Sequence, residues 1–178
     1  LARAYTGKPR VLKFEGAYHG SNDEGITSLF PSGRMAFPEP EPSSAGIQYQ
    51  HTLIAPYNDL EATRALAHSH ASTLAAVIVE PLQRVLLPEP GFLQAVREVT
   101  KKHGIVLIFD EIVTGFRIAW GGAQERYGVV PDLACYGKAI SGGFPMAAIV
   151  GDASIMSVLD ARSRPNPVRI RFAYSNVA

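Results

Sequence analysis

Apolar residues in this chain fall into two rhythms. Dense short runs occur at Val11–Phe14 (VLKF), Ala75–Glu80 (AAVIVE) and Ile105–Asp110 (IVLIFD). The last two are rich in β-branched residues, nearly all apolar, and close on a carboxylate. Such runs predict strands covered on both faces of a parallel sheet. Asp132–Tyr136 and Ala147–Val150 are weaker strand candidates. Helical spacing fills the gaps. Asp59 is placed to cap a helix running through His70, with Leu60, Thr63, Leu66 and Ala67 on one face. Gly91–His103 repeats Phe92, Ala95, Val96 and Val99 at helical spacing, and Gly104 supplies a stop. Ala123–Tyr127 predicts a short helix. Strands separated by helices predict an α/β layered sheet with right-handed crossovers.

One stretch has neither rhythm. Phe30–Pro56 holds Pro31, Pro38, Pro40, Pro42 and Pro56 with Gly33 and Gly46, and reads as one long loop.

Composition narrows the class. A chain of 178 residues with 47% hydrophobic residues supports a single domain with a sizeable core, and excludes collagen-like and disordered classes. A net charge of +1 gives no electrostatic case for nucleic acid or an anionic membrane. Cys135 stands alone, so no disulfide framework is expected, and a reduced, cytoplasmic setting fits. No apolar run approaches the roughly 20 residues of a membrane span, and no cleavable signal peptide opens the chain.

In open α/β sheets, ligands bind outside the carboxyl ends of the strands. That rule selects Gly16, Tyr18, His19 and Gly20 after the first run, Glu80 after the second, and Asp110 and Glu111 after the third. It also selects the Gly137-Lys138 loop. A carboxylate ending a buried strand is costly unless a cation or hydrogen-bond donors meet it. Asp110 is therefore either a functional carboxylate or a structural cap on the next turn. Lys138, in Tyr136-Gly-Lys-Ala-Ile-Ser-Gly-Gly143, is either a surface lysine or, in a semi-buried pocket, a lysine that loses its proton readily. The latter is what Schiff-base chemistry needs.

Other chemistries fit less well. A phosphate loop needs G-x-x-x-x-G-K-[ST]. Here Asp132 holds the first glycine position and Ala139 follows Lys138, so a P-loop ATPase is disfavoured. No dinucleotide fingerprint follows a strand. No metal site is expected. His68 and His70 stand two apart on a helix and point in different directions, and His19 and His51 have no second ligand at metal spacing. His103 suits a helix C-terminus, Cys135 a buried thiol, and Trp120 a packing or interface anchor.

Taken together, KFEGAYHG at Lys13–Gly20, PYNDLEA at Pro56–Ala62, VIVEP at Val77–Pro81 and LIFDEIVTGFR at Leu107–Arg117 form an ordered series. GVVPDL at Gly128–Leu133 and YGKAISGGFP at Tyr136–Pro145 continue it. In this series the chain resembles the class III pyridoxal-phosphate aminotransferases, above all the glutamate-1-semialdehyde aminomutase branch. The resemblance implies a three-layer, mostly parallel sheet with helices on both faces, the large domain of fold type I. It implies pyridoxal 5'-phosphate as cofactor, a small amino acid or amine as substrate, and a homodimer with active sites at the subunit interface.

The resemblance also assigns roles. Lys138 would form the Schiff base with the cofactor aldehyde and later move the substrate proton. Asp110 would pair with the pyridine nitrogen. Ile112 and Tyr18 would pack on opposite faces of the ring, with His19 and Glu80 close behind. Val113 stands where ornithine-type and 4-aminobutyrate-type members often carry glutamine, which favours the aminomutase side. Leu82–Leu87 replaces a glycine-containing loop of many members, which keeps an ordinary transaminase open.

Against the family pattern, residues 1–178 correspond to the central part of the large domain. Leu1–Lys8 matches the tail of the helix that follows the phosphate-gripping loop. That loop and the small C-terminal domain are expected to lie outside the chain. Ser175, in Ala173–Asn176, is a distant match for a phosphate-binding segment of the partner subunit. The 47% apolar content then predicts exposed apolar patches and a tendency to associate. A non-catalytic remnant, acting only in folding or interaction, is the alternative to an enzyme.

Overall fold

A computed structural model describes residues 1–29, 51–160 and 162. The described elements are α1 (Ala2–Thr6), β1 (Arg10–Phe14), α2 (Asp23–Ile26), β2 (Thr52–Ala55), α3 (Leu60–Ser69) and β3 (Leu74–Val79). They continue with α4 (Phe92–His103), β4 (Val106–Asp110), α5 (Gly122–Tyr127), β5 (Leu133–Tyr136), β6 (Ala148–Gly151) and α6 (Ala153–Met156). The six strands form one sheet in the order β2-β1-β3-β4-β5-β6. Every pairing is parallel except β5 with β6.

The predicted strands appear within a residue or so of their expected bounds. β2 is the exception. Its Thr-Leu-Ile-Ala run falls at the end of the stretch read as loop, where four residues are too few to establish a period. It pairs alongside β1 at the sheet edge. The rest of that stretch, from Phe30 to Gln50, lies outside the described residues, as does Ser175.

Alternation along the strands divides the core in two. Leu12, Phe14, Val77, Val79, Leu107 and Phe109 pack with Phe92, Leu93, Val96 and Val99 of α4. Phe14, Tyr57 and Phe92 meet pairwise edge-on, with ring centroids 5.3–5.8 Å apart. Ala76, Val106 and Leu133 pack on the other face with Ala2 of α1 and Ile155 of α6. Helices therefore cover both faces. Asp59 caps α3 by accepting from Ala62 N at 2.8 Å, and Gly104 ends α4 in the left-handed region. Among the described residues no helix is long and apolar enough to cross a membrane.

Candidate active site

Parallel pairing brings the carboxyl ends of β1, β3, β4 and β5 to one edge, and the residues following them gather there. Lys13, Glu80 and Asp110 share the face of Ala76 and Val106 by alternation. Asp110 ends β4, where its backbone pairs in register with Cys135 of β5. Lys138 follows β5 by two residues.

Asp110 is 7% exposed. Its Oδ2 lies 2.7 Å from Nδ1 of His19, and its Oδ1 accepts from Ile112 N at 3.2 Å. An ionised carboxylate only accepts, so His19 donates from Nδ1. The other ring nitrogen, Nε2, is buried without a hydrogen-bond partner among the described residues. The His19 ring lines a cavity of about 130 Å³ with Val11, Lys13, Asn22, Thr52 and Ile78.

The Tyr18-His19 segment is fixed from several sides. Glu80 Oε1 accepts from Tyr18 N at 2.7 Å, so this carboxylate holds the tyrosine backbone. Gln83 Nε2 donates to Glu15 O at 2.6 Å. Lys13 Nζ donates to the carbonyls of Ala17, Gly25 and Thr27 at 2.8, 2.9 and 2.6 Å. Gly25 is obligatory, because a Cβ there would stand 2.6 Å from Gly20 O. The Tyr18 ring is half-exposed and its hydroxyl meets Ser21 Oγ at 3.0 Å.

Glu111 has a different task from Asp110. Fully buried, it accepts from Thr114 Oγ1 at 2.6 Å, Ala123 N at 2.8 Å, and Gln124 N and Nε2 at 3.2 and 3.3 Å. It ties the turn after β4 to the start of α5. Gly122, with φ +67°, leaves it room: a Cβ there would fall 2.5 Å from Glu111 Oε2. Ile112 is half-buried and faces Gly137, where an added Cβ would meet its side chain at 3.6 Å.

Of the two settings open to Lys138, the structure shows the surface one. It is exposed rather than semi-buried, and opens a 3-10 turn over Lys138–Ser141. Its φ of +47° puts a non-glycine residue in the left-handed region. Such a backbone costs on the order of 1 kcal/mol and is often kept where a side chain must be aimed. Cys135, beside Asp110 in register, has its thiol pushed up to about 12 by burial first and by Asp110 second. Trp120 is 83% exposed and meets Phe116 edge-on, so it anchors nothing within the described core.

Lys13 escaped the sequence reading. Its place inside the apolar run Val-Leu-Lys-Phe assigns it no role, and only the three carbonyls reveal why it is buried. Glu111 was selected by position, but three of its four donors come from Ala123 and Gln124, which belong to no motif.

A family model described as aminotransferase class-III matches residues 1–166. The chain is 48% identical over 160 residues to a glutamate-1-semialdehyde 2,1-aminomutase of Salinibacter ruber, covering 88% of the chain and 36% of the relative. It is 45% identical over 168 residues to one of Polynucleobacter necessarius, covering 89% and 39%. An omega-transaminase structure from Sphaerobacter thermophilus superposes with a TM-score of 0.87 at 41% identity, covering 96% of the chain and 41% of that structure. A structure described as a transaminase with PLP bound gives 0.81 at 32% identity, covering 89% and 38%. The chain thus spans well under half the length of these relatives.

Proposed function

The chain belongs to the class III aminotransferases, and from that premise we propose that it serves pyridoxal-phosphate-dependent amino group transfer on a small amino acid or amine. The observation carrying this reading is the buried His19–Asp110 pair at the end of β4, with Lys138 two residues beyond the end of the neighbouring strand.

The donor set fits the cofactor ring. Each Asp110 oxygen has one bond filled and one lone pair left. A charged carboxylate in a buried site favours a protonated nitrogen opposite it. When bound, pyridoxal phosphate supplies the electron sink for a carbanion at the substrate carbon. Asp110 would hold the proton on the ring nitrogen. His19 donates to Asp110 and keeps its oxygens aimed. Tyr18 and Ile112 would flank the ring faces, and Glu80 steadies Tyr18 through its backbone. Lys138 Nζ would be the amine that holds the cofactor at its aldehyde, and the base that would move a proton at the substrate carbon.

We read residues 1–178 as the central part of the cofactor-binding large domain, in keeping with the 36% and 39% coverage of the aminomutases. Exposed Val85, Leu86 and Leu87 support a homodimer that covers them. An aminomutase is the narrower reading, supported by Val113 and by the 48% and 45% identities.

Borohydride reduction in the presence of pyridoxal phosphate tests the proposal. A phosphopyridoxyl mass increment mapped to Lys138 supports it. Absence of any increment at millimolar cofactor favours a non-catalytic remnant. Conversion of a substrate without an external amino acceptor would separate aminomutase from transaminase.

A further inference from the structure

We propose that Lys13 is a positioning residue for this site: its ammonium clamps the Ala17–Thr27 segment to β1 and so sets where Tyr18 and His19 stand. The inference rests on the function proposed above.

Lys13 lies within β1 and is 2% exposed. Lysine is almost never fully buried without compensation. Here the compensation comes from backbone oxygens. An ammonium has three donors and no acceptor. All three are used, on Ala17 O, Gly25 O and Thr27 O. Ala17 immediately precedes Tyr18, while Gly25 and Thr27 bring the segment back. One charged group therefore ties both ends of the excursion to the strand beneath it.

Other anchors also hold the segment: Tyr18 N reaches Glu80, Arg3 pairs with Glu24 at 2.7 Å, His19 N reaches Gly25 O at 3.3 Å, and Asn22 caps α2 through Gly25 N. Two of these pass through Gly25, whose carbonyl Lys13 also holds. A methionine at residue 13 would leave three inward-facing carbonyls without this donor, and the position of His19 relative to Asp110 would depend on the other anchors alone. A lysine serving only to fill the core would not direct every donor to one segment.

The test uses the intact protein with pyridoxal phosphate as probe. Lys13→Met removes all three donors and Lys13→Gln keeps two. The expected result is graded. Cofactor affinity falls about tenfold or more for Met and less for Gln, in line with loss of charge-assisted bonds. The visible circular dichroism of the bound cofactor weakens in the same order, while the apoprotein still unfolds cooperatively. Wild-type affinity and an unchanged visible signal in both folded variants would overturn the proposal.

Hydrogen exchange on the wild-type apoprotein keeps the idea testable if neither variant folds. The Tyr18 and His19 amides should be protected as long as those of β1. Free exchange at those amides, with β1 protected, would also overturn it. A wild-type protein that takes up no cofactor counts instead against the function proposed above, and leaves the clamp to be judged by exchange.

Discussion

His19 and Asp110, 91 residues apart in sequence, meet at 2.7 Å with both side chains more than nine-tenths buried. The contact joins the segment after β1 to the end of β4 across the intervening β3. Asp110 has its second bond from Ile112 N, so it is oriented from both sides.

Asp110→Asn should separate charge from shape. Asparagine keeps an acceptor for His19 or Ile112 N, so the fold should lose about 1–2 kcal/mol at most. The charge facing the ring nitrogen is gone, and amino transfer should fall on the order of a hundredfold or more. Urea unfolding and single-turnover rates on the same preparation check the two halves.

Glu111→Gln should do the reverse. Four donors converge on this carboxylate. An amide presents two of its own donors to them. About 2–3 kcal/mol of stability should be lost, since buried donors left without acceptors carry their full desolvation cost. A shifted urea midpoint with an unchanged slope would match this. An unchanged midpoint would not.

Lys13 should leave a signature in stability against pH. Burial pushes its ammonium down to about 8; Glu80 opposes this and Arg84 adds to it, and Glu24 and His19 line the adjoining cavity. The folded value lies below the unfolded one. Below pH 8 both states hold the proton, and the folded state bears the cost of burying it. Between about pH 8 and 10.5 only the unfolded chain is protonated, so this group's contribution to stability rises with pH. The wild-type advantage over Lys13→Met should grow across that window by up to about 3 kcal/mol. A flat difference between the two unfolding profiles would contradict the assignment.

Cys135 should be inert in the folded state. With its thiol raised to about 12, the thiolate needed for alkylation is scarce at neutral pH. Iodoacetamide at pH 7.5 should label it only after unfolding, and mass spectrometry before and after urea reads the difference.

The strands were legible because β-branched, nearly unbroken apolar runs suit a sheet covered on both faces. α4 was legible because its apolar spacing is helical and Gly104 ends it. β2 was not, since four residues carry no usable period and its pairing depends on β1. At the site, position after a strand was enough to select Asp110, Glu80 and His19. Nothing local in the sequence says that Glu80 serves the Tyr18 backbone, or that His19 turns to Asp110. Those partners are fixed by strand order. The same holds for Lys138, whose exposure follows from its turn rather than from the neighbouring glycines.

Strand order also has a temporal side. β1 and its trailing segment are made before β3 and β4, yet Glu80 follows β3 and Asp110 ends β4. The His19 contact closes a 91-residue loop, whose entropy must be overcome before any contact across it counts. A nascent chain ending before β4 therefore carries the histidine with no carboxylate to meet. Competence to bind is a late event of folding, and uptake of the cofactor would report that β1, β3 and β4 have already come together.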